Sequence, residues 1–191
     1  MKRVWVGVKE NGMNFFGHFN TITRHRHMVI YHAFKAGIPW RGLLHDLSKY
    51  MPAEFLAGVK YYTDGTRSPN EAERQEFGHS RAWMHHKGRN RHHFEYWTDY
   101  NPETKMISPV EMPVVFVKEM FCDRVAASKI YQKENYNSSH PLEYFLKAKG
   151  RRMIHPATSD LLESWLVMLK EKGEAETFKH IRKYKTGGGL H

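Results

Sequence analysis

Cysteine is nearly absent: Cys122 is the only one in 191 residues. A disulfide framework is excluded, and the usage fits a reducing compartment. Long apolar runs are missing too. No stretch approaches the roughly 20 residues of a membrane-spanning helix. The opening Met1-Lys2-Arg3, followed by Val4-Trp5-Val6-Gly7, lacks the apolar length of a signal peptide. A soluble, cytoplasmic protein with no membrane partner is expected. Acidic residues are the scarcer charge, 20 Asp and Glu against 30 Lys and Arg, for a formal net charge of +10. That balance favours an anionic partner, either a small phosphorylated substrate such as a nucleotide or nucleic acid, although such a charge also serves solubility alone. Apolar and aromatic residues are plentiful, at 40 % and 14 %. That is too much for a disordered chain and enough to build a core without metal or disulfide staples.

The apolar residues recur mainly at helical spacing. Residues 1–17 are Gly-rich and weakly patterned and read as an N-terminal arm, either a strand pair or irregular. Phe19, Ile22, Val29, Ala33 and Ala36 then mark a helix that Gly37-Ile38-Pro39 ends. A second helix is expected to turn Trp40, Leu43, Leu44 and Leu47 inward. Pro52 and Glu54 open a third, to about Tyr62. Ser68-Pro69-Asn70-Glu71 is a capping box with proline at the first helical position, and its helix is expected to reach Gly88. A shorter helix spans about 90–97. Asn101-Pro102 and Ser108-Pro109 mark a loop or small hairpin over 98–112. A long helix covers 113–132, and Pro141 with Glu143 starts another. Leu161, Leu162, Trp165, Leu166 and Leu169 form an amphipathic helix ending at Gly173, with a last helix over 175–184. The tail, 186–191, reads as flexible. With no repeat and no long linker, the expectation is an all-α, single-domain helical bundle over 18–185.

Four features carry chemistry. Five of the fourteen histidines lie between His79 and His93, among four cations and several aromatics. Neutral imidazole is a common metal ligand, and Arg and Lys bind phosphate. The same stretch also reads as a solvated basic face that holds nucleic acid. His45-Asp46, on an apolar segment, offers two ligands from one turn; alternatively Asp46 merely pairs with Lys49 at i+3. Asp123 shares its helical face with Phe116, Met120, Ala127 and Ile130, has no cation at i±3 or i±4, and has the like charge of Glu119 at i−4. A carboxylate on an apolar face needs a partner from elsewhere in the fold: a metal ion, a His or an Arg. His25 leans inward with Ile22, Val29, His32 and Ala36, and His27 on the neighbouring stripe is its rival.

This order of His, His-Asp, clustered His and Asp on separate helices resembles the HD-domain superfamily, an all-α group that contains metal-dependent phosphohydrolases. The likeness rests on His25, Leu44-His45-Asp46-Leu47-Ser48-Lys49, His85-His86, His92-His93 and Cys122-Asp123-Arg124. From His18 to about Ile181 the chain is also similar to a small bacterial and phage family known only as a domain of unknown function. That likeness is carried by His45-Asp46-Leu47-Ser48-Lys49-Tyr50, Ala82-Trp83-Met84-His85-His86-Lys87-Gly88-Arg89-Asn90 and Glu119-Met120-Phe121-Cys122-Asp123-Arg124, and it favours His25 over His27. Two features depart from the broader superfamily: a short gap from His25 to His45, and no Gly-Tyr-Pro after His85-His86.

The resemblance implies one divalent ion on His25, His45, Asp46 and Asp123. It implies a second on one His of each later pair, assigned to His86 and His93 with His85 and His92 as supports. Mixed N and O ligands suit Mn, Fe, Co, Ni or Zn. The expected activity is hydrolysis of a nucleotide or other phosphate ester by metal-activated water. Asp46 would accept or orient the proton of that water. Lys49, Lys87, Arg89, Arg91 and Arg124 would hold phosphate oxygens, and Trp83, Tyr96 and Trp97 would offer stacking faces. The competing expectations are a di-iron HD-type oxygenase and a non-catalytic nucleic-acid-binding or interaction protein with a structural His cluster.

Overall fold

The computed structural model describes residues 14–63 and 68–185. Most of the expected arm and the tail, 186–191, lie outside the described residues. The described chain is mostly helical, with eight α-helices and one small hairpin. Helix α1 (Phe15–Ala36) opens on Asn14, whose Oδ1 accepts from the Gly17 amide at 2.7 Å. It closes at Gly37, where φ is 78° and the Ile38 amide returns to the Ala33 carbonyl at 2.9 Å. Only glycine adopts that left-handed cap without strain. Helix α2 (Pro39–Leu44) starts on its proline and is followed by a 3-10 turn, Leu47–Tyr50. Helices α3 (Pro52–Lys60), α4 (Pro69–Phe77) and α5 (Arg81–Lys87) come next, then a 3-10 turn at Phe94–Tyr96. The hairpin pairs β1 (Thr98–Asn101) antiparallel with β2 (Met106–Pro109), Thr98 facing Pro109. Helices α6 (Val114–Gln132), α7 (His140–Leu146) and α8 (Pro156–Lys183) complete the chain.

Two apolar clusters form. The larger joins Val29, Ala33 and Ala36 of α1 with Val117, Phe121 and Val125 of α6 and Leu162, Trp165, Leu166 and Leu169 of α8. The smaller joins Ile22 of α1 with Phe55 and Val59 of α3. Ile22, His25 and Val29 follow one another at helical spacing on the buried face of α1. His25 is therefore held between the two clusters.

Several sequence expectations are corrected. Trp40, Leu43, Leu44 and Leu47 are exposed, Trp40 at 77 %. Helix α2 has only six residues, and Gly42 takes its buried side: a Cβ there would lie 2.5 Å from Ala33 Cβ. The segment 69–88 is two helices, because Gly78 turns left-handed (φ 76°) and the Ser80 hydroxyl recaps the chain at the Trp83 amide. The helix expected over 90–97 reduces to one 3-10 turn, where the Trp97 indole N–H donates to the Arg91 carbonyl at 2.7 Å. The break expected at Gly173 is present as non-helical backbone inside α8.

Candidate metal centre

Three segments deliver the first group of side chains: His25 from α1, His45 and Asp46 from the turn after α2, and Asp123 from α6. Asp46 adopts left-handed backbone, φ 54°, a region sparsely populated by any residue but glycine, although aspartate visits it more readily than most, and one often found where function demands it. Around it, His45 Nε2 lies 3.2 Å and His25 Nε2 3.9 Å from Asp46 Oδ2. Asp123 Oδ1 lies 2.9 Å from His25 Nε2 and 3.6 Å from His45 Nε2. The other oxygen of Asp46 serves a second group. Its Oδ1 is 3.4 Å from His86 Nε2 and 3.5 Å from His92 Nε2, and His93 Nε2 is 2.9 Å from His86 Nε2. Asp46 is thus common to both groups, with one oxygen facing each.

Two carboxylates behind the cluster orient the rings. A carboxylate only accepts, so the imidazole nitrogens facing it carry the protons. His45 Nδ1 donates to Glu119 Oε1 at 3.1 Å, and His92 Nδ1 stands 3.3 Å from the same oxygen. Arg41 Nε donates to Glu119 Oε2 at 2.7 Å. Glu54 receives His86 Nδ1 at 2.7 Å and His85 Nδ1 at 2.6 Å. Each Nδ1 so engaged leaves the Nε2 of His45, His92 and His86 aimed at Asp46. Such outer partners fix tautomer and ring orientation at metal sites.

The donor set suits a divalent ion. His25, His45, Asp46 and Asp123 place one ligand atom each within 4.8 Å of one another, and so do Asp46, His86, His92 and His93. Donors bonded at about 2.0–2.2 Å to one ion stand roughly 3–3.5 Å apart, close to the separations above. Nε2 of His45 and of His92 and Oδ1 of Asp46 are buried and make no well-formed hydrogen bond. Buried polar atoms rarely go unpaired, and here they converge. These buried clusters can hold a metal ion.

The electrostatics favour positive charge at the same point. Burial alone would lower the pKa of His45, but Asp46, with Asp123 and Glu119, raises it well above the usual histidine value. Burial likewise works against the charge on Asp46, and His45, Lys49 and His86 nevertheless hold its carboxyl well below the carboxylate range. Lys49 Nζ sits 2.6 Å from Asp46 Oδ2. Burial pushes Glu119 up, and the His45 and His92 ring N–H groups outweigh it, lowering its pKa to about 2. His93 is held well below 6.5 by burial first, then by His92 and His86, so its ring stays neutral.

The centre forms one wall of a cavity of about 750 Å3. His25, His86, His93 and Asp123 border the cavity with Lys49, while His45, Asp46 and His92 sit behind them. The structure brings together all six expected ligands: His25, His45, Asp46, His86, His93 and Asp123. His27, the rival of His25, is exposed. His92, expected as a support, is at the same distance from Asp46 as His86. Arg124 lines the cavity; Lys87, Arg89 and Arg91 do not. Gly88 is right-handed (φ −74°), and beyond it Asn90 and His92 are buried while Arg89 and Arg91, alternating with them, are exposed. Trp83 lines the cavity, edge-on to His93 at 4.8 Å. Tyr96 and Trp97 are outside it, Trp97 packing on Phe116. Glu54 and Glu119 were missed. Glu119 had a signal, since it lies one helical turn before Asp123 on α6 and had been read only as a like charge.

No curated protein and no solved structure matches the chain. A family model described as "Family of unknown function (DUF5662)" matches residues 14–168, most of the chain, and the protein belongs to that family.

Proposed function

We propose that the protein is a metal-dependent phosphohydrolase acting on a nucleotide or other small phosphate ester, with an HD-domain-like helical arrangement. The observation that carries this reading is Asp46, buried and strained, with one oxygen facing His25, His45 and Asp123 and the other facing His86, His92 and His93. A carboxylate shared in this way suits two adjacent ions, and phosphoryl transfer is a reaction that two such ions serve. When bound, divalent ions such as Mn, Fe, Co, Ni or Zn would activate water and polarise a phosphoryl oxygen. The chain's own groups do the rest. Asp46, kept ionised by its neighbours, orients the attacking water by accepting a hydrogen bond from it. Lys49, pinned to Asp46 at 2.6 Å and lining the cavity, neutralises charge on the phosphoryl oxygens. Trp83 offers an apolar wall for the organic part of the substrate.

Elemental analysis of the untagged protein tests the metal, followed by a screen of phosphate esters with each ion. At least one transition metal per chain is expected, lost in Asp46→Ala and Asp123→Ala. Near-wild-type metal content in both variants would sink the assignment. Iron together with an oxygen requirement would favour the oxygenase instead. The exposed Arg89 and Arg91 favour a second reading, nucleic-acid binding. Its mark would be DNA or RNA affinity with a steep salt dependence, lost in the Arg89→Ala/Arg91→Ala double variant.

A further inference from the structure

The cavity has a second cationic feature besides the histidine–aspartate centre. Arg124, the residue after Asp123 on α6, and Arg152, in the loop before α8, both line it. Neither makes an ion pair with a carboxylate among the described residues. Arg124 Nε and Arg152 Nη1 are buried and without a hydrogen-bond partner. The one side-chain approach of hydrogen-bond type at Arg124 is a 4.0 Å contact of Nη2 with Met120 Sδ. Each guanidinium instead rests over an aromatic ring, Arg124 over Phe145 at 5.8 Å and Arg152 over Tyr144 at 5.5 Å. Stacking of this kind fixes the plane of the fork.

Unpaired arginines in a wall are costly. Arg124 and Arg152 stand close enough to feel each other's charge, with Asp123 and Glu95 the nearby carboxylates. Two guanidiniums that repel each other, with buried N–H groups left over, are arranged for an anion. A phosphate dianion draws on both positive charges more strongly than a carboxylate does, even with Asp123 and Glu95 beside Arg124. Phosphate also has enough oxygens to receive both forks.

We propose that Arg124 and Arg152 form a phosphate subsite in the cavity, so that the natural substrate carries two phosphate groups, one for the histidine–aspartate centre and one for this arginine pair. The substrate assignment rests on the phosphohydrolase reading; the subsite itself does not. A cavity of about 750 Å3 has room for a substrate that carries both groups.

The experiment is calorimetric titration of chelator-treated, metal-free protein with inorganic phosphate, with acetate as a control. One phosphate per chain is expected, with acetate at least tenfold weaker. Arg124→Gln and Arg152→Gln should each weaken phosphate binding at least tenfold. Arg152→Lys, which keeps the charge and is the milder change for folding, should recover part of the loss. Lys179→Gln, which removes an exposed cation outside the cavity, should bind phosphate within about twofold of wild type. The proposal is overturned if wild type binds no phosphate, if acetate binds as well, or if both glutamine variants bind normally. It is also overturned if Lys179→Gln weakens binding as much as the arginine variants do. Metal binding and hydrolysis are measured separately, so a protein that hydrolyses no phosphate ester yet binds phosphate in this way would refute only the phosphohydrolase reading.

Discussion

Glu119 shows how much of the centre depends on a residue that does not face the cavity. It is fully buried, receives His45, stands within 3.3 Å of His92, and is anchored by Arg41. Replacing it with glutamine keeps the volume but puts an amide where the rings need an acceptor, and it leaves Arg41 facing a neutral group. Loss of such an outer partner at a metal site costs about 10–100-fold in affinity. Glu119→Gln should lower metal affinity by that order, measured by competition with a chromophoric chelator. An unchanged affinity would show that the ring orientations are set by packing alone. An ion bound in the wild type would have to displace the proton that the carboxylates favour on His45. Affinity should therefore rise with pH and weaken steadily as pH falls.

The elements that carry this site were legible to different degrees. Asp123 could be placed from sequence because helical periodicity gave it an apolar face and no local partner. The same periodicity failed at α2, where alternate packing was decided by a contact that no pattern encodes. Gly42 lets α2 approach α1 so closely that an added Cβ would stand 2.5 Å from Ala33 Cβ and 3.2 Å from Ile30 Cα. The leucines then face outward although their spacing is helical. Arg89 and Arg91 were misplaced for a related reason. Alternation after α5 turns Asn90 and His92 inward, and Asn90 Nδ2 donates to Ser48 Oγ at 2.8 Å, so the chain is fixed by tertiary bonds rather than by Gly88. Glu54 was read only as a helix start, since its partners His85 and His86 lie more than thirty residues away. Gly42→Ala should force α1 and α2 apart and destabilise the protein by about 1–3 kcal/mol. In a chain of this size that lowers Tm by roughly 2–4 °C per kcal/mol. It should also weaken metal binding, because α2 leads directly into His45 and carries Arg41. Thermal unfolding at wild-type Tm would mean that the helix pair is looser than this contact implies.

At the scale of the whole molecule, stability and pH are linked through histidines outside the cluster. His32 is fully buried on α1 and stacks on Phe178 of α8 at 5.1 Å. Burial first, and Lys129 second, lower it to about 4, with Glu174 opposing. His18, also buried, is lowered to about 4 by burial and then by Lys49. In the unfolded chain both titrate near 6.5. Between about pH 6.5 and 4 the unfolded state therefore holds protons that the folded state lacks. Stability is full above that window and falls as pH drops through it, by at most about 1.4 kcal/mol per pH unit for each histidine. The low pKa of Glu119 acts below about 4.5, under the lower limit of a comparison between pH 7 and pH 5. From pH 7 to pH 5, His32 alone should cost roughly 1–2 kcal/mol. His32→Phe keeps an aromatic ring against Phe178 and removes the titration. Urea unfolding of the chelated protein at pH 7 and pH 5 should then show a smaller loss in His32→Phe than in wild type by that amount. An equal loss in the two proteins would mean that His32 is already protonated in the fold, or that water reaches it, and that the packing between α1 and α8 does not exclude charge.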